Sequence, residues 1–192
     1  MEYLAKLLMN WCIRKDKVFK ITGTAGPDDV YLIRYYILRS KYMNIFLHQF
    51  LRSDRDDLHD HPWNFATYLI KGAYTENKFD EVTGVVTQTR RANYDRYSPN
   101  FLTPIDHVKQ NTLVFRKATD QHQVVVDRDL KESEKDQAAL TLFISGPTKR
   151  DWGFIVEEDS MFYNELKAGI KMRRWIDWRT YLGLPKDTPG RG

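Results

Sequence analysis

One cysteine, Cys12, stands in 192 residues. No intrachain disulfide can form, which excludes a disulfide-stapled secreted scaffold and makes a reducing compartment, the cytoplasm, the expected one. Long apolar runs are also missing. No window approaches the roughly 18 consecutive apolar residues of a membrane helix, so neither a transmembrane span nor a membrane partner is expected. The opening MEYLAKLLMNWCIRKDK has an acid at Glu2 and puts its basic cluster after the apolar part. A secretory signal has the opposite order. Blocks of one charge sign are lacking too. Lys and Arg number 30 against 26 Asp and Glu, for a net +4 and a pI of about 9.0, and the small excess is spread along the chain. A nucleic-acid partner, which calls for a basic stripe or arm, is not expected. There is no glycine-rich phosphate loop, no GxSxG elbow, no CxxC pair and no internal repeat.

What is present describes a folded chain. Apolar residues make up 42% and aromatics 14%, enough for one domain, 1–192, with a sizeable core. Residues 2–13 predict an amphipathic helix, with Leu4, Leu7, Leu8 and Trp11 at the spacing of one face that would pack on the rest. Residues 22–29, TGTAGPDD, predict a loop. From Val30 the pattern turns to β. Strands are expected over 31–38, 42–51, 59–70, 74–79, 82–90, 111–117, 122–127, 138–144 and 152–156. The strand over 42–51 is apolar on both faces and should be covered on both sides. Residues 52–57 and 128–137 predict charged connections, and 98–105, with two prolines, another loop. Residues 163–181 mix helical and irregular signals, with Trp175 and Trp178 spaced to share a helix face. Many short strands and no alternating long helices predict a mainly β sandwich or barrel. Its core is expected over about 30–156, with a C-terminal extension over 157–192.

The organising stretch is Leu58 to Gly72, LHDHPWNFATYLIKG. His59 and His61 are two apart, so on a strand they share a face and can each offer a ring nitrogen to one divalent metal. Gly72 marks the turn that ends the apolar run. His122, at the head of the run QHQVVVD, is the third candidate. His59, His61 and His122 together form a candidate three-histidine metal site inside a β-barrel.

These residues resemble the first motif of the cupins, in which HxH is followed by a Glu and then a Gly. After His59-Asp60-His61 come Pro62, Trp63 and Asn64, then Phe65 where the Glu would be, and six more residues reach Gly72. The second cupin motif, a His after a Pro-x-Gly turn, corresponds to Lys117–His122, with the His present and the Pro and Gly absent. The resemblance covers roughly residues 31–154, and the segment is similar to that of bacterial and phage cupin-like proteins carrying LHDHPW. It implies a double-stranded β-helix, a jelly-roll barrel, and a bound transition metal. Iron is the first expectation, with zinc, nickel or manganese as alternatives. Thiol dioxygenases are similar in lacking this Glu and using three histidines.

Other side chains are weighed against plainer roles. His48 shares parity with Phe46 and Phe50. It is either a hydrogen-bonded core residue, a group bracing the site, or a fourth ligand. Trp63 and Phe65 share parity with the histidines and should line the interior, where they are candidate substrate contacts. Asp60, between the histidines, faces the other way and should brace the loop. Tyr74 and Glu76 share a strand face and are the candidate catalytic residues. Glu76 is a candidate general base if burial raises its pKa, and a solvated hairpin residue otherwise. Arg34 and Arg116 lie in apolar surroundings. Each needs a partner, either an internal acid or the carboxylate or phosphate of a substrate. Three neutral imidazoles leave a divalent metal its full charge, so the expected partner is a small anionic molecule, with a homodimer left open. The expected function is a metal-dependent oxygenase. The alternatives are a metal-independent sugar-nucleotide isomerase-like cupin using a His as base, or a non-catalytic ligand-binding or regulatory barrel.

Overall fold

A computed structural model describes residues 1–22, 29–54, 58–80, 82–92, 107–110, 113–158, 172–181 and 183–187. Helix α1 spans Glu2–Arg14. The strands are β1 (Val18–Thr22), β2 (Val30–Arg39), β3 (Asn44–Phe50), β4 (Leu58–His59), β5 (Phe65–Lys71), β6 (Ala73–Asp80), β7 (Val85–Ala92), β8 (His107–Gln110), β9 (Val114–Arg116), β10 (Gln121–Val125), β11 (Ala139–Ser145), β12 (Gly153–Glu158) and β13 (Met172–Asp177). A one-turn helix, α2, covers Trp178–Tyr181. Residues 23–28 of the expected loop over 22–29, the expected loop over 98–105 and the stretch 159–171 lie outside the described residues.

The strands form two sheets, ordered β1-β2-β3-β11-β5-β9 and β13-β12-β4-β10-β6-β7-β8. Pairing is antiparallel throughout, apart from the parallel contact of β8 with β7. At the centre lie β3-β11-β5-β9 in one sheet and β4-β10-β6-β7 in the other. From β3 to β11, leaving β8 aside, successive strands alternate between the sheets except at the β6–β7 hairpin, as in two interlocked Greek keys. This is the jelly-roll order of the cupin-type double-stranded β-helix, and the expected fold class holds.

Strand β3 is covered on both faces, as its run predicts. Leu47, with Ile33, Tyr35, Ile70 and Leu140, packs toward α1. Phe46, with Phe65 and Phe143, points between the sheets. Each such large side chain contributes about 1.5–3 kcal/mol on burial. The contact face of α1 differs from expectation. Ala5, Leu8, Met9 and Cys12 meet the sheet, while Leu4, Leu7 and Trp11 are 54%, 49% and 39% exposed. Ala5 and Cys12 are small and two turns apart, so they let the helix approach closely. That turns it by about one residue, or 100°. The Cys12 thiol donates to the Tyr36 carbonyl at 3.4 Å. Among the described residues no helix is long and apolar enough to cross a membrane.

The organising stretch is not the continuous strand its alternation predicts. It is β4 in one sheet and β5 in the other, with residues 60–64 crossing between. Pro62 cannot donate to a ladder, and its carbonyl instead accepts from Lys149 N–H at 2.7 Å. The Asn64 side chain accepts from Ala118 N–H at 2.9 Å. Asp60 is 1% exposed and accepts from Gly153 N–H at 2.7 Å, Trp175 Nε1–H at 2.9 Å and the Arg150 guanidinium at 2.8 Å. It braces the crossing, as expected. Gly153 is required beside it, because a Cβ there would lie 2.1 Å from the Ile176 carbonyl oxygen. Gly72, at φ +79°, makes the tight turn from β5 to β6. Trp175 and Trp178 do not share a helix face. Trp175 lies on β13, and Trp178 opens α2 stacked on Trp152 at 5.7 Å.

Candidate metal centre

His59 and His122 sit directly opposite each other on β4 and β10. His61 lies just beyond the end of β4, where its backbone N–H donates to the Ala118 carbonyl at 3.2 Å. The crossover swings it back over the other two. One ring nitrogen from each histidine falls within 4.8 Å of the others. The Nε2 atoms of His61 and His122 are 2.8 Å apart. Two nitrogens bound about 2.1 Å from one metal at a right angle would be about 3 Å apart, so the spacing fits two ligands of one ion.

Glu76 decides which nitrogen of His122 is available. It is 2% exposed and its Oε1 lies 2.9 Å from His122 Nδ1. Arg116 grips the same carboxylate through Nε at 3.1 Å and Nη2 at 2.6 Å. Burial alone would raise the Glu76 pKa, but the hydrogen bond from His122 and the charges of His122 and Arg116 outweigh it. They hold the carboxyl well below the usual range. An ionised carboxylate facing Nδ1 is met by a proton there, which leaves Nε2 as the His122 nitrogen turned toward His61. Two ring nitrogens 2.8 Å apart need a proton or a cation between their lone pairs. A carboxylate behind a ligating imidazole is the usual brace of a metal site. The donor set therefore fits a divalent metal.

The remaining predicted residues surround this cluster. The Phe65 ring packs 4.8 Å from His61 and 5.6 Å from His122, where the Glu of the cupin pattern would stand. Trp63 stacks on His61 at 5.0 Å. Glu76 is neither solvated nor raised in pKa, so the expected solvated or base-like state gives way to a paired anion. Arg116 finds the internal acid. Tyr74, two residues from Glu76, lies with Leu69, Val124 and Ala139 and accepts from Arg91. Burial, opposed by Arg91 and reinforced by Glu76, pushes its phenol up to about 12. His48 is not among the grouped ligands. Its Nε2 accepts from Arg34 Nε–H at 3.0 Å. The link between Glu76 and His122 was missed from the sequence, because it depends on the β6–β10 register, in which Val124 opposes Glu76.

Burial, and then the Arg34 charge, depress the His48 pKa well below 6.5. Burial, with His122 and His59, does the same for His61. Below about pH 6.5 the unfolded chain binds protons at these positions that the folded chain refuses, so stability falls as pH drops. For His48 the slope approaches about 1.4 kcal/mol per pH unit. Denaturant titrations at pH 7.5 and 5.5 check this, and His48→Gln, which keeps an acceptor, should flatten the loss by one proton's share.

No protein-family model and no curated protein matches the chain. Among solved structures, a cupin 2 conserved barrel domain protein from Rhodopseudomonas palustris is similar over 72% of this chain and 77% of its own, at 12% identity and a TM-score of 0.45. A conserved protein with a double-stranded β-helix domain from Klebsiella pneumoniae is similar over 66% and 86%, at 13% identity and 0.40. Fe(II) HppE in complex with substrate is similar over 68% of this chain, at 11% identity and 0.42. This chain spans 57% of that protein. The strand order of the chain itself defines a jelly-roll barrel of the double-stranded β-helix type, and its grouped histidines a candidate three-histidine centre.

Proposed function

We propose that the chain is a small-molecule metalloenzyme of the oxygenase type, with one divalent transition metal, iron first, held by His59, His61 and His122. The observation that carries this reading is the convergence of three ring nitrogens with His122 braced by an ionised Glu76. An all-imidazole donor set suits iron, and also zinc and nickel. A metal bound there would supply a cationic centre with coordination positions left open for substrate or water. The chain's own residues orient His122, seal one side of the cluster with Phe65, and leave no carboxylate where a fourth ligand would stand.

Elemental analysis of the purified protein tests the reading, with His61→Ala as control. Near-stoichiometric iron in the parent and loss of most metal in the variant are expected, because three neutral ligands leave little redundancy. A parent that neither carries nor takes up a metal sinks it. The His122–Glu76 pair would then favour a second reading, a metal-independent isomerase-like barrel with His122 Nε2 as the base.

A further inference from the structure

Arg34 differs from four other arginines of the barrel. Arg52, Arg90, Arg116 and Arg150 each pair with an acid: Asp29, Asp127, Glu76 and Asp60. Arg34 is half-buried on β2, opposite His48 in the register. Its Nε–H donates to His48 Nε2 at 3.0 Å, and neither Nη group has a partner among the described residues. The guanidinium lies over the Phe46 ring, with Cζ 4.9 Å from the centroid. His48 is itself set by Phe143 at 4.9 Å and Phe46 at 5.7 Å, both stacked. One edge and one face of the guanidinium are thus held, while its end remains open. Rings connect it to the histidines: Phe46 to Phe143 at 6.1 Å, Phe143 to Trp63 at 5.5 Å, and Trp63 to His61 at 5.0 Å.

We infer that Arg34, oriented by His48, anchors the oxyanion head, a carboxylate or phosphate, of the small molecule that the barrel takes up beside its histidines. A permanently charged planar fork with two free Nη groups matches two oxygens of such a head. The rings between Arg34 and His61 suit a short apolar body. His48 is a positioning residue: kept neutral, it accepts from Nε and leaves the end of the fork for the ligand. This rests on the reading of the site as a small-molecule centre, but not on the metal being bound.

The test is calorimetric titration of the full chain, stripped with chelator, with sodium benzoate and with sodium phosphate. Saturable binding with a Kd on the order of 1 mM is expected for at least one probe. Tighter benzoate assigns a carboxylate, and tighter phosphate a phosphate. Arg34→Gln should abolish the binding. Arg34→Lys should weaken it at least tenfold, because a point charge cannot form the two-pronged contact, and it carries the test if Arg34→Gln fails to fold. His48→Phe should weaken binding several-fold, and His48→Gln, which restores an acceptor, should bring it back. A parent that binds neither probe, or Arg34 variants that bind like the parent, overturns the inference. Absence of metal from the parent sinks the metal reading alone, so the two failures are separable.

Discussion

Glu76→Gln is expected to weaken metal binding by about 10–100-fold, the usual effect of removing a carboxylate behind a ligating histidine. It should also destabilise the metal-free fold, by at most about 3–5 kcal/mol, because it leaves the partly buried guanidinium of Arg116 without its anion. Glu76 holds both partners at once: His122 Nδ1 at 2.9 Å on Oε1 and Arg116 Nη2 at 2.6 Å on Oε2. The two losses can be separated with a second substitution. Adding Arg116→Met removes the stranded charge and should recover much of the stability. It should not recover metal affinity, because His122 still lacks its brace. Chelator competition and chemical denaturation of parent, single and double variants check both halves. A Glu76→Gln protein that binds metal as tightly as the parent would show that the carboxylate does not tune His122.

The pairing of Glu76 with His122 also marks where the sequence stops being legible. His59, His61 and His122 could be read from a short motif and a resemblance, because the signal is local. The structure does bring them together, though His59 and His61 do not do it by alternating along one strand. The chain leaves β4 after His59, turns through Pro62 and enters the opposite sheet at Phe65. Strand parity and the actual crossover happen to bring His59, His61, Trp63 and Phe65 together alike. The role of Glu76 was not legible in this way. A glutamate in ENKF reads as solvated until the β6–β10 register is known. Helix α1 failed for a related reason. Its apolar residues permit two faces, and the small side chains of Ala5 and Cys12, rather than the larger Leu4, Leu7 and Trp11, set the one that packs. Arg34 and Arg116 looked alike in sequence. Only the fold shows that one has an internal acid and the other an open end.

Phe65→Glu should give the most diagnostic change in the barrel. The Phe65 ring is 4% exposed, stacked on Phe143 at 4.8 Å and edge-on to His61 at 4.8 Å. A carboxylate there without a counter-ion is an unpaired charge in an apolar cluster with Phe46 and Phe143. It should cost the metal-free protein several kcal/mol. The same position adjoins the histidine nitrogens. With a divalent metal present, the new carboxylate gains a cation to pair with and becomes a fourth ligand. Metal should then raise the melting temperature of the variant by more than it raises that of the parent, through mass action on the folded state. Activity that depends on an open coordination position should fall, because the carboxylate competes for it and lowers the metal's Lewis acidity. Melting curves of parent and variant, with and without added Fe(II) or Zn(II), read the outcome directly. Equal instability of the variant in both conditions would mean that Phe65 is core packing and that no metal lies within reach of its side chain. The three-histidine reading would then have to be abandoned at the position where it is most exposed to test.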